Sequence, residues 1–141
     1  GYSMTIPITD KRSVAQRGGV DEDNLLAYCP MGDRMRVTAT AEIAGYSTAY
    51  EPDDFRVMTE RTRKLFPKGL AFEKATHWAG LRPMTPTAIP IIDRSPISNL
   101  FLNTGHGHLG WTMSNGSARM LADLVGQKVP AIEHAGMGYG G

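Results

Sequence analysis

The stretch "NLFLNTGHGHLGWTMSNGSARMLADLVG" (residues 99–126) decides how the chain is read. Gly105, Gly107 and Gly110 spell G-x-G-x-x-G between a short apolar run and an amphipathic segment, which is the local context of a dinucleotide-binding turn. Glu133 lies about the right distance downstream for a ribose ligand. Such a fingerprint, however, opens the first β-α-β unit of a parallel sheet that continues through several more strands. Here only fifteen residues follow Gly126, and "VPAIEHAG" (residues 129–136) supplies at most one short strand. The dinucleotide reading is therefore set aside. What survives is the physics of a glycine-rich strand-to-helix turn. It presents free backbone N–H groups and the positive end of a helix to any electron-rich group.

Outward from the loop, "LFLNTG" (residues 100–105) reads as a buried strand entering it. The helix leaving it is expected to begin around Trp111 and end at Gly126, with Met113, Ser117, Met120, Leu121, Leu124 and Val125 as its packed stripe. Upstream, "AIPIIDRS" (residues 88–95) reads as a short strand and "FEKATHWAGLRP" (residues 72–83) as a strand ending in a turn. "EPDDFRVMTERTRKLFP" (residues 51–67) predicts a helix. Pro52 suits a first turn, Asp53 and Asp54 complement the positive dipole end, and Arg63 and Lys64 sit near the negative end. Its stripe is Phe55, Met58, Thr62, Leu65 and Phe66, and Pro67 stops it.

"YSMTIPI" (residues 2–8) alternates apolar and polar like a strand, with Pro7 at an edge or near its end. "NLLAYCPM" (residues 24–31) and "RMRVTATAEIAG" (residues 34–45) predict two strands joined at Gly32-Asp33, a dipeptide suited to a tight hairpin. Arg34, Arg36, Thr38 and Thr40 alternate with Met35, Val37 and Ala39, so one face is wet and the other packed. The pattern is α+β: a mainly antiparallel sheet, a mid-chain helix and a C-terminal helix. The expected division is residues 1–95 for the sheet domain, 96–130 for the strand, glycine loop and helix, and 131–141 for a loose tail.

With 41% hydrophobic and 21% charged residues, the 141-residue chain has the composition of a globular domain with a real core. A formal net charge of +1 gives no electrostatic case for nucleic acid. Cys29 is the single cysteine, which excludes a disulfide or a Cys-based zinc site within the chain and fits a reducing compartment. No apolar run approaches a membrane span. The first residues enter strand-like sequence directly, with no initiator Met, signal or transit pattern, so a piece of a longer chain is expected. His106 and His108 have the spacing of a metal pair, but His77, His134 and Cys29 offer no local grouping to complete it, and no metal is expected. "MSNGS" lacks the arrangement of a serine nucleophile elbow. No carboxylate pair stands out, so no side chain is assigned acid–base catalysis.

"WAGLRPMTPTAIPIIDRSP" (residues 78–96), followed closely by "LFLNTGHGHLGWTMSNGSARMLADLV", resembles the C-terminal part of the FAD-dependent D-amino acid oxidase/glycine oxidase superfamily. Within it the chain is most similar to the bacterial D-amino acid dehydrogenase small subunits. "GYSMTIPI" is similar to the start of that family's substrate-domain sheet, and the resemblance covers nearly the whole chain. It implies a fragment of a two-domain FAD oxidoreductase whose dinucleotide fingerprint lies N-terminal to Gly1, and a terminal helix that caps the flavin.

The resemblance also implies roles. Arg82 of G-L-R-P matches the arginine that holds the substrate α-carboxylate, for which a planar guanidinium fork is the natural partner. The loop of Gly105, Gly107, His108, Leu109, Gly110, Trp111 and Thr112 matches the segment whose backbone approaches the flavin, with the helix N-terminus aimed at the edge that gains negative charge on reduction. Thr112 matches a position that hydrogen-bonds that edge; the other reading makes it a helix cap. His108 departs from a smaller residue in some relatives and is expected to line the substrate cavity. Asp93 stands where relatives often have glycine. Tyr46 and Tyr50 fall where the family's strand passes the site; Tyr50 is a substrate-binding candidate, with a half-buried sheet tyrosine as the other reading.

The implied activity is oxidative deamination of D-amino acids by hydride transfer to flavin N5, with the protein chiefly orienting the substrate. Glycine, sarcosine or another secondary amine remains an alternative substrate, and a non-catalytic interaction domain an alternative class. FAD is expected in the intact protein and not to bind tightly to this chain alone. The expected partners are a D-amino acid, the N-terminal FAD-binding domain, an electron acceptor that is either oxygen or a quinone-linked chain, and, for the fragment, further copies of itself. The expected location is cytoplasmic, or peripheral on the inner face of the bacterial cytoplasmic membrane.

Overall fold

In the computed structural model, which describes residues 1–133 and 135–139, the chain forms two compact units, Gly1–Leu81 and Arg82–Gly141. The first unit is a five-stranded sheet with one helix. Its strands are β1 (Tyr2–Pro7), β2 (Gly19–Asp21), β3 (Leu26–Met31), β4 (Arg34–Thr38) and β5 (Thr76–Ala79). They run in the order β2-β3-β4-β1-β5, and every neighbouring pair is antiparallel. The hairpin between β3 and β4 turns at Gly32, whose φ of +68° is open to glycine at no steric cost. Met35 and Val37 are fully buried while Arg34 and Thr38 are exposed, so the alternation along β4 is realised. Pro7 closes β1, where a missing N–H costs the ladder nothing.

Several boundaries differ from the sequence expectation. β4 ends at Thr38, and residues 39–51 carry no regular structure, so the long strand to Gly45 is corrected. Exposure explains it: residues 41–51 are all exposed, so the apolar–polar alternation there has no core to face. Residues Phe72–Lys74 form a 3-10 turn, not the start of a strand. β2 went unforeseen because three residues are too short to show a period.

Pro52–Phe55 form a 3-10 turn leading into α1 (Arg56–Leu65). The Glu51 N–H donates to the Asp54 carboxylate at 2.8 Å, which ties down the entry. Phe55, Met58 and Thr62 are buried, and the Thr62 hydroxyl is satisfied by the Met58 carbonyl at 2.7 Å. Leu65, expected in the stripe, is exposed; Phe66, where the chain leaves the helix, takes the inward place and meets Tyr28 edge-on at 5.1 Å. The core gathers Tyr2, Met4, Ile6, Leu26, Met35, Val37, Phe55 and Met58.

Asp10 caps a second 3-10 turn, Lys11–Ser13. Its carboxylate accepts the Ser13 hydroxyl at 2.8 Å and the Arg12 N–H at 3.0 Å, and these bonds, Ser13 first, hold its carboxyl below the usual carboxylate range. A lowered folded pKa contributes stability above the unfolded value of about 3.9 and loses it as pH falls through the folded one. Asp10→Asn is therefore expected to shrink the acid-side loss of melting temperature, followed by thermal melts across the acid range.

The second unit is the hairpin β6 (Ile91–Arg94) and β7 (Phe101–Thr104), with α2 (Gly110–Val125). The expected division after residue 95 would part these two paired strands, and the observed boundary lies after Leu81 instead. β7 is not a buried strand: Phe101 and Leu102 are half-buried, while Asn103 and Thr104 are exposed. Ser117 and Met120 of α2 are buried as expected, but Val125 is exposed and Asp123 is buried in its place. Arg119 pairs with Asp123 at 3.2 Å, one turn away. The Arg94 guanidinium donates to the Leu124 carbonyl at 2.6 Å, where the negative end of α2 favours a cation.

The tail is not loose throughout. The Ile92 N–H donates to the Met137 carbonyl at 2.9 Å, and the Tyr139 N–H to the Asp93 carboxylate at 3.0 Å. Asp93 thus anchors the tail. His134, Gly140 and Gly141 lie outside the described residues.

Candidate functional site

Arg82 and the glycine loop, far apart in sequence, are joined by backbone hydrogen bonding. The Gly107 N–H donates to the Pro83 carbonyl at 2.9 Å, and Met84 forms an antiparallel bridge with His106. The G-L-R-P segment therefore reaches the loop with its arginine exposed. Among the described residues Arg82 makes no ion pair.

The glycines in this loop have distinct tasks. Gly105 has φ +80° and is buried, and an added Cβ would fall 2.5 Å from Thr85 Cγ2. Gly107 has φ +58°, yet a Cβ there would meet nothing within 4 Å. Gly110 starts α2, and its missing Cβ faces His106 Cβ at 3.4 Å. Gly107 thus leaves open space beside its backbone, while the missing Cβ of Gly110 faces His106.

α2 begins without a side-chain cap, because its N-cap is Leu109. Thr112 is exposed in the first turn and caps nothing, so the capping alternative is removed. His108 and Leu109 are exposed on the loop, and Trp111 is 93% exposed. The Nε2 of His106 is shielded from solvent, with no hydrogen-bond partner among the described residues. The sequence raised His106 only as half of a metal pair, and no pattern flagged an unsatisfied nitrogen. Among the described residues no three His, Cys, Asp or Glu side chains come together as ligands.

An open backbone at Gly107, an uncapped helix start and an orphaned imidazole nitrogen fit a planar group with hydrogen-bonding edges, which is what a flavin ring offers. An exposed aromatic and leucine beside them suit its apolar face.

Tyr50 belongs to the first unit, stacks edge-on against Phe55 at 5.2 Å, and donates its hydroxyl to the His77 carbonyl at 3.3 Å. It lies in irregular chain, not in a sheet, and Tyr46 stands free in solvent.

These two units define a class by their fold. Glycine oxidase from Geobacillus kaustophilus, a solved structure, shares it with a TM-score of 0.79 over 97% of this chain and 37% of that one, at 22% identity. The sequence model of the family described as FAD dependent oxidoreductase matches residues 1–124, and the chain belongs to that family. Among curated relatives, D-amino acid dehydrogenase 2 of Mesorhizobium japonicum is 47% identical over the whole of this chain and 34% of its own length. D-amino acid dehydrogenase of Paramagnetospirillum magneticum is 44% identical over 98% of this chain and 33% of its own. The chain thus spans about a third of the length of these relatives. Its family implies FAD in the intact protein. No described helix is long and apolar enough to cross a membrane.

Proposed function

We propose that this chain is the substrate-recognising and flavin-capping part of an FAD-dependent D-amino acid dehydrogenase. The observation that carries the reading is the hydrogen-bonded junction between Pro83 and Gly107, which puts an exposed arginine, unpaired among the described residues, beside an open glycine loop. Arg82 holds the α-carboxylate of the substrate by its guanidinium fork. The backbone at Gly107 and the first turn of α2 hold the flavin edge, with the helix dipole favouring added negative charge. His106 Nε2 completes its hydrogen bonding there, and His108 faces the substrate. FAD, when bound, supplies the two-electron acceptor. Because the phosphate-binding part lies outside this chain, tight FAD binding and turnover belong to the longer protein.

The test is anaerobic addition of D-alanine to the full-length protein. Bleaching of the flavin band by D-alanine, with little by glycine or sarcosine, is expected; bleaching by the secondary amine alone would transfer the reading to that alternative. Reduction of a quinone analogue, against oxygen uptake, then assigns the acceptor, and a quinone acceptor would bring the protein to the inner face of the membrane.

Gly107→Val in the full-length protein is expected to shift the flavin spectrum and reduction potential and to lower turnover, because the added side chain enters the open space and strains a left-handed backbone. Ordinary spectra and potential in the purified variant would remove the flavin from this loop. Taken alone, the 141-residue chain should self-associate through its bare apolar side chains, Leu109 and Trp111 among them. A clean monomer in sedimentation at micromolar concentration would contradict that.

A further inference from the structure

α1 buries one face, through Met58 and Thr62, and leaves the opposite one bare. On the bare face Val57, Glu60, Lys64 and Leu65 are exposed, with Arg61 half-buried beside them. Their helical spacing is that of a packing stripe, with an apolar residue at each end and charges between. A cleft opens along this face against the turn between β2 and β3, with Asp21 and Asn24 on its far wall.

The turn is held firmly to the helix. Arg61 Nη1 donates to the Asn24 carbonyl at 2.9 Å, and the Asn24 side-chain amide donates to the Asp21 carboxylate at 2.8 Å. Leu25, next in the turn, has φ +49° and a largely exposed side chain. A left-handed leucine is strained, and here its own burial does not offset the cost. The strain presents one more apolar side chain beside the cleft.

The charges on this face are not used up within the chain. Glu60 and Lys64 stand one turn apart in the order that favours an ion pair along a helix, yet none joins them. Glu60 reaches back to Arg56 at 3.5 Å instead, and Lys64 pairs with no carboxylate among the described residues. In chain order the stripe runs apolar, acid, base, apolar. Turned end for end and laid on itself, it brings Val57 within a turn of Leu65 in the other copy, and Glu60 within a turn of Lys64. Arg61 is drawn aside to the Asn24 carbonyl and does not oppose its own copy across the axis. Such a match between a surface and its own rotated copy is what an isologous two-fold interface requires.

We propose that the outer face of α1 pairs antiparallel with the same face of a second copy of this protein, Val57 against Leu65 and Glu60 against Lys64. So small a face makes a weak dimer, populated at about 100 micromolar and dissociated in a dilute denaturant melt. The pairing uses neither flavin nor Arg82, so it stands apart from amine oxidation.

The test is native mass spectrometry and sedimentation of the full-length protein. At about 100 micromolar it should contain two-copy particles that fall apart on dilution and in high salt. Glu60→Lys and Lys64→Glu each set like charges across the axis, and each should weaken pairing about tenfold or more. Mixing the two variants, one labelled with heavy nitrogen, should restore it as a mixed dimer, because the lysines of one chain then face the glutamates of the other. Mixing repairs nothing inside a single helix, so the recovery reads the contact between copies. A monomer at that concentration overturns the proposal. So does a dimer indifferent to both substitutions, or a mixture that recovers no mixed dimer. The D-alanine bleaching experiment reads the flavin alone, so the two readings stand or fall separately.

Discussion

Arg82→Ala in the full-length protein is expected to raise the KM for D-alanine strongly, a loss on the order of 2–5 kcal/mol in transition-state binding. Arg82 is exposed, unpaired among the described residues and fixed next to the loop through Pro83, so its fork is free for a carboxylate. Arg82→Lys should recover only part of the loss, because an ammonium cannot grip both oxygens at once. Amines without a carboxylate should respond little to either change. Steady-state kinetics with both substrate types decides: an unchanged KM for D-alanine in Arg82→Ala removes the carboxylate role.

Phe55→Ala is expected to cost about 3–5 kcal/mol of stability in the same protein. The ring is 1% exposed and sits between Tyr2 at 5.4 Å, Tyr50 at 5.2 Å and His77 at 4.4 Å, so its removal leaves a cavity among these rings. Leu65→Ala, one stripe position by sequence but exposed in the fold, should stay within about 0.5 kcal/mol. Denaturant melts of the two variants test the packing directly. Equal losses would mean that Leu65 is covered in the full-length protein.

The contrast between Phe55 and Leu65 shows why the helix was legible and its last turn was not. The spacing of Phe55, Met58 and Thr62 fixes a face by itself. At Leu65 and Phe66 two adjacent apolar residues compete, and the winner depends on where the chain turns off, which Tyr28 on a distant strand decides. Arg34, Arg36 and Thr38 were readable as a polar face for the same local reason. That Arg36 has no acidic partner among the described residues, and that Ser3 is buried, depends on the order β4-β1-β5, which no window of sequence contains.

By itself, the sequence determined what neighbours within a few residues decide: the β3–β4 hairpin at Gly32-Asp33, the amphipathic α1 and α2, the turn chemistry of Gly105 and Gly107, and the G-L-R-P and glycine-loop motifs. Steric limits on φ and the periods of strand and helix act over that range, so those features were fixed in advance. The tertiary structure alone decided which distant groups satisfy one another. It set the Gly107 N–H on the Pro83 carbonyl, spent the Tyr50 hydroxyl on His77, turned the missing Cβ of Gly110 toward His106, and tied Tyr139 to Asp93. Hydrogen bonds of this kind are specified by the register and closure of the whole chain, because a donor's own sequence neighbourhood holds no record of the acceptor it will meet.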